Sequence, residues 1–195
     1  MTAKSLKSTG AESAGMAGKL IEHFKMRKIP VEGPWFIVTY KSTDILPTGA
    51  LPSRYQGARS AGSAICALET RVDFSALHKL ATDEIWHFYG GDPIEMLLLY
   101  PDGHGEIVII GPDVLNGQHP QFTVPLGVWQ GSRPLRDHHD AYSLFGDTLA
   151  PGFEYEDCEF GYRDELQNRY PEFAALIEEL TRSEFSSRAV SASSG

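Results

Sequence analysis

From Trp35 onward the chain is cut by glycine, proline and aspartate into short stretches rich in β-branched and aromatic residues, with no room between them for long helices. Segments near 35–41, 62–71, 84–89, 94–100, 105–111, 121–125, 127–131, 141–146 and 153–159 read as strands. Many short strands at close intervals close most readily into an antiparallel barrel or jelly roll. Asp102-Gly103 between two apolar runs is a hairpin signal, and Gly90-Gly91-Asp92-Pro93 and Pro112-Asp113 give two further tight connections. The aperiodic stretch 44–62, with glycine, proline and serine, reads as a long loop near the barrel mouth.

Helical spacing appears only at the two ends. Met16, Leu20 and Phe24 fall four apart with Ile21 beside them, which predicts a short amphipathic helix over 16–26. In 163–182, Leu166, Tyr170, Phe173, Leu176, Ile177 and Leu180 keep helical spacing, and Pro171 opens a second part. This region is expected on the outside of the barrel. Residues 1–15 and 183–195 are small and polar and are expected to be disordered. The fold class is therefore all-β, a single domain over 16–182 with short N-terminal and C-terminal helices.

Charge and cysteine usage narrow the function classes. The net charge of −9, from 26 acidic and 17 basic side chains, disfavours nucleic acid and anionic membrane as partners. The apolar run 96–100 is far too short to span a bilayer, and the first residues lack the apolar core of a signal peptide. Cys66 and Cys158 stand far apart in no metal spacing and read as free thiols of a reducing compartment, so a cytoplasmic location is expected. The chain holds no G-x-S-x-G and no P-loop, and Gly103-His104-Gly105 lies in a hairpin turn.

The chemistry concentrates in His78–Pro93, HKLATDEIWHFYGGDP. Read as a strand, Glu84, Trp86 and Phe88 share one face, with Ile85, His87 and Tyr89 on the other. A carboxylate between aromatics on an inward face suits a small-molecule pocket, and burial there would raise its pKa toward proton transfer. The same Glu84 reads equally as a structural hydrogen-bonding residue. His78, placed before the strand, is a candidate general base or else an exposed or capping histidine. His87 has the opposite parity, which favours packing over a direct role. Tyr40, Trp129 and Gln130 are candidate pocket residues or fillers of the barrel. Arg54 and Arg59 in the long loop could reach a substrate anion or lie solvated. His138-His139-Asp140 reads as a surface turn.

Four segments together, WFIVTYKS (35–42), HKLATDEIWHFYGGDP (78–93), VPLGVWQGS (124–132) and APGFEYEDCEFG (150–161), resemble the DUF985, or yeast-protein-like, family of single-domain cupins over about Lys19 to Arg182. The resemblance implies a cupin jelly-roll β-barrel and a homodimer. It implies no particular reaction, and its link to deoxysugar-nucleotide epimerases is one of fold. Metal-binding cupins carry His-x-His, then Glu, then a third His after Pro-x-Gly-x-x. With Glu84 as that Glu, Leu77 and Lys79 fall at the two histidine positions, His78 lies one residue out of register, and Gln130 stands at the third. A three-His, one-Glu centre is therefore missing, leaving at most a poorer site of His78, Glu84 and water. Ile37 and Val38 occupy positions where relatives often carry Arg-Glu, which suggests a more apolar ligand.

These readings point to recognition of a small organic metabolite with cofactor-independent acid–base chemistry: isomerisation, epimerisation, cyclisation or dehydration. His78 and Glu84 are the expected proton-transferring pair, with Tyr40, Arg59, Trp86, His87, Phe88, Trp129 and Gln130 as substrate-binding candidates. A metal-dependent cupin enzyme (dioxygenase or isomerase, using a divalent metal) and a non-catalytic metabolite-binding protein are the alternatives.

Overall fold

The computed structural model describes residues 15–188. The first helix, α1 (Met16–Phe24), leads into a short β1 (Arg27–Lys28) and then β2 (Trp35–Lys41). The long loop carries a two-stranded ribbon of β3 (Ile45–Leu46) and β4 (Arg59–Ser60). There follow β5 (Ser63–Thr70), β6 (Ser75–Leu80), β7 (Glu84–Gly91), β8 (Ile94–Leu99), β9 (Gly105–Ile110), β10 (Gln121–Val124), β11 (Trp129–Pro134), β12 (Tyr142–Leu149) and β13 (Cys158–Phe160). Two short helices, α2 (Arg163–Arg169) and α3 (Ala174–Glu179), close the chain.

The strands form two antiparallel sheets, one in the order β1-β2-β5-β12-β7-β10 and the other β13-β6-β11-β8-β9. Sequence-adjacent strands pair in some places and cross between sheets in others, which is the jelly-roll pattern. Phe36, Ala67, Trp86 and Phe145 from the first sheet meet Ile94, Met96 and Leu98 from the second in one core cluster. The Trp86 and Phe145 rings stack with centroids 4.6 Å apart. A second cluster lies on the outer face of the five-stranded sheet. There Leu77, Leu97 and Leu99 bury against Leu166, Tyr170, Ile177 and Leu180 of the helical segment. The helices break at Pro171, where a 3-10 turn intervenes.

Arg182 ties this segment back to the start of the barrel. Its guanidinium donates to the Glu32, Val72 and Phe74 carbonyl oxygens and lies over the Phe74 ring, 3.7 Å from the centroid.

Several boundaries differ from the sequence expectation. β6 was not expected as a strand, because SALHKL does not alternate between apolar and polar residues. Both its faces are covered, so the period-two signal is absent. β12 runs three residues past the expected end, although Gly146-Asp147 looks like a turn in sequence. Tyr89 on the neighbouring strand lies over Gly146, where a Cβ would collide with its hydroxyl, so glycine here accommodates a ring and not a turn. In 153–159 only Cys158 onward pairs, because Tyr155–Asp157 forms a 3-10 turn. The expectation of disordered ends over 1–14 and 189–195 falls outside the described residues. Ser183–Phe185, expected in the tail, instead forms a 3-10 turn that sets Phe185 against Phe160 and Tyr162. No helix among the described residues is long and apolar enough to cross a membrane.

Candidate functional site

One end of the barrel holds a cavity of about 230 Å³. Its walls are Ile29, Phe36, Val38, Ile65, Leu80, Trp86, Leu149 and Phe153, its interior polar groups are Glu32, His78, Glu84 and Asp147, and Arg27, Lys41, Ser63, Glu154 and Tyr155 complete the lining.

The polar floor is organised by Gln130, which is 1% exposed and pairs with His78 across β11 and β6. Trp86 Nε1 donates to Gln130 Oε1 at 3.0 Å, which fixes the amide so that its Nε2 protons point the other way. Gln130 Nε2 then donates to Glu84 Oε2 at 2.6 Å and approaches His78 Nε2 at 3.4 Å. His78 Nδ1 donates to the Ala76 carbonyl at 2.8 Å, a contact that requires the proton on Nδ1 and leaves Nε2 as the acceptor. Burial pushes the Glu84 carboxyl up to about 7, with the Glu32 charge adding to the rise and His78, Gln130 and Trp86 opposing it. Burial likewise raises Asp147 well above the usual carboxylate range, helped by the charges of Glu84, Glu32 and Glu69.

A third buried acid, Glu69, lies outside the cavity lining. Glu69 accepts from Ser132 Oγ at 2.8 Å, its other oxygen has no partner among the described residues, and burial lifts it to about 8. Ser75 Oγ donates to Glu32 Oε1 at 2.6 Å.

His78, Glu84, Trp86 and Gln130 come together as one network, while the remaining sequence candidates lie elsewhere. His78 is not in a loop: it sits in mid-β6 and is 3% exposed. Tyr40 is exposed on the outer face, because the pairing of β2 with β5 slips by one residue at Thr39. Val38 shares the inward face of Phe36 by ordinary alternation, and the slip then puts Lys41 on the cavity side and turns Tyr40 away. Phe88 keeps the inward face but packs against the main core, outside the cavity lining. His87 faces outward, with Nε2 3.1 Å from Thr148 Oγ1. Trp129 lies on the opposite face of β11 from Gln130, packed against the helical cluster beneath the Lys79 ammonium.

Arg59 is neither solvated nor free for a ligand. It is 2% exposed, held by both Asp157 oxygens at 2.7 and 2.8 Å, by Glu156 at 2.8 Å and by the Ala58 carbonyl. Together with the buried Tyr55–Thr82 hydroxyl contact, it fastens the long loop to the barrel rim. Arg54 donates to the Ala81 carbonyl. His138 binds Asp92 at the surface. Burial pushes the Cys158 thiol up, away from nucleophilic use.

Sequence reasoning missed Asp147, Glu32 and the wall residues Ile65 and Phe153. A continuous strand through Gly146 would have put Asp147 on the face of Phe145 and Leu149, a lone acid among apolar residues. Glu32 carried no signal, since it sits in a turn before β2 and reaches the cavity only through tertiary folding.

The donor set does not fit a metal ion. The Gln130 amide presents N–H donors, not an oxygen, to His78 and Glu84, and no group of three metal-ligating side chains converges among the described residues. The amide bridges the pair by hydrogen bonds instead.

Comparison with known proteins agrees with this architecture. The sequence model of the cupin superfamily family DUF985 matches residues 18–161. The uncharacterized protein YML079W of Saccharomyces cerevisiae is 37% identical over 86 residues, a match spanning 43% of each chain. Protein SO0799 of Shewanella oneidensis superposes with a TM-score of 0.72 at 29% identity, covering 87% of this chain and 98% of that one. A hypothetical protein from Leishmania major gives 0.73 at 27% identity, covering 84% and 97%. A jelly roll with its polar groups gathered at one mouth, matched along nearly all of its strands by the family sequence model, belongs to the DUF985 family of the cupin superfamily.

Proposed function

We propose that the barrel binds a small organic metabolite and acts on it by proton transfer without a metal, through His78 and Glu84. The observation that carries this reading is the Gln130 bridge, which fixes an imidazole and a carboxyl side by side at the floor of an apolar cavity. Burial raises the Glu84 carboxyl to about 7, toward neutrality, where a group both gives and takes a proton at little cost. The imidazole, anchored through Nδ1 on Ala76, keeps Nε2 for accepting a proton. Isomerisation, epimerisation, cyclisation and dehydration all need such a pair and no redox group. The apolar walls keep water from competing for the proton.

The test works with an unidentified substrate. The protein is incubated with a cell metabolite extract in deuterated water, and compounds that gain carbon-bound deuterium are sought by mass spectrometry. Labelling that falls about 100-fold or more in Glu84→Gln and in His78→Ala supports the assignment. Labelling or conversion that survives both substitutions, or a ligand that binds and is neither labelled nor converted, overturns it in favour of other chemistry or of binding alone.

A further inference from the structure

The cavity interior gathers carboxyls from three elements: Glu32 before β2, Glu84 on β7 and Asp147 on β12. No lysine or arginine among the described residues is buried with them. Of the two cationic lining residues, Lys41 is exposed and paired with Glu154 at 2.7 Å, and Arg27 is exposed with its guanidinium over the Phe36 ring. Asp147 stands out among the three. It is 5% exposed, and its Oδ1 is buried with no hydrogen-bond partner among the described residues. In register, Asp147 lies opposite Trp86 and Ile65, which places Glu84 one pair along the same inward face. Such diagonal neighbours have Cα atoms about 7–8 Å apart, close enough for one small group to touch both side chains.

An unpartnered carboxyl in an apolar cavity requires a proton, a hydrogen-bond donor or a cation. Burial and then the charges of Glu84, Glu32 and Glu69 all raise Asp147, so a proton is one answer. A ligand hydroxyl satisfies one acceptor and leaves the charge unbalanced. An ammonium group brings three donors and cancels charge, so two neighbouring carboxylates ionise together when it lies between them. The faces of Phe36, Trp86 and Phe153 suit the apolar body and the cation alike.

We propose that this floor is a receptor for the ammonium group of a compact amine with an apolar body, with Asp147 and Glu84 as its acceptors and Glu32 as the third. This inference rests on the reading of the barrel as a small-molecule site. Binding an ammonium ion releases protons from the two carboxyls to the buffer, so affinity rises with pH through neutrality. His78, Glu32 and Glu69 inside, with Arg27, Lys41, Glu154 and Tyr155 at the rim, are the other titratable and charged groups facing the pair.

Titration calorimetry with phenethylamine tests this, using phenethyl alcohol and phenylacetate as uncharged and anionic counterparts, in phosphate and in MOPS buffer at about pH 6 and about pH 8. The expected result is a phenethylamine Kd on the order of 1 mM or tighter, at least about tenfold tighter than for either counterpart. Binding should release protons and tighten from the lower to the higher pH. Asp147→Asn should weaken the amine about tenfold or more and change phenethyl alcohol far less. Glu32→Gln should give a smaller loss and serves as a second check should the first variant misfold.

Equal binding of the three probes, preference for the alcohol or the carboxylate, or no binding of the amine would each overturn the proposal. An unaltered amine affinity in Asp147→Asn would overturn it too. Deuterium labelling that depends on Glu84, found without amine preference, would leave the proton-transfer reading standing and remove only the ligand class. Amine binding that depends on Asp147, without any labelling, would do the reverse.

Discussion

Gln130 uses its whole amide inside the barrel, with Oε1 on the Trp86 indole and Nε2 between Glu84 and His78. Replacing it by the similarly sized methionine removes three partners at once and leaves the Trp86 N–H buried without an acceptor. Each group so stranded costs about 1–3 kcal/mol, because its lost hydration is not repaid. Gln130→Met is therefore expected to lower the unfolding free energy by a few kcal/mol in a urea titration. A loss well below 1 kcal/mol would mean that the network relaxes to water or to other partners. The sequence showed Gln130 only as a departure from the metal-binding pattern. Its use as a bridge was not legible, since its partners on β6 and β7 lie 44 to 52 residues earlier in the chain.

β6 shows at the element scale why part of the site stayed hidden. Its Leu77 side supports α2 and α3, while its His78 side lines the cavity. A strand covered on both faces loses the alternation by which strands are recognised. The β7 strand kept that alternation through Trp86, so Glu84 and Trp86 were correctly placed inward. Tyr40 went the other way, because a one-residue slip at Thr39 cannot be read from a run as regular as WFIVTYK. The two faces of β6 are separable by experiment. Leu77→Ala is expected to cost about 2–5 kcal/mol and to speed amide exchange in α2 and α3. The positions of the His78 ring resonances should stay put. A large shift of those resonances would show that the helical layer and the cavity are mechanically one unit.

For the molecule as a whole, the buried carboxyls set the direction of its pH response. Glu84 rises to about 7, Glu69 to about 8, and Asp147 is also raised, whereas in the unfolded chain all three return to ordinary carboxyl values. The native state thus binds more protons than the unfolded one between those limits, and stability falls as pH climbs. The contribution is whole below the unfolded values, near pH 4, and is lost as pH passes through about 7 and then about 8. For Glu84 alone the loss is on the order of 3 kcal/mol. Melting temperatures measured from about pH 5 to about pH 9 should therefore decline, and Glu84→Gln should flatten the first part of that decline. A midpoint that rises over this range would contradict the protonated interior.

The Arg182 clasp has a consequence for where this chain tolerates being cut or shortened. Its guanidinium grips the backbone carbonyl of Glu32, the residue whose side chain reaches into the cavity. The barrel strands end at Phe160, and a boundary drawn there on β-content alone would seem natural. Such a boundary would discard the anchor of the cavity wall together with the lid on Leu77. A chain ending at Phe160 is therefore expected to lose the order of the cavity wall around Glu32, and one carried through Arg182 to keep it, which amide exchange of residues 29–33 in the two chains checks.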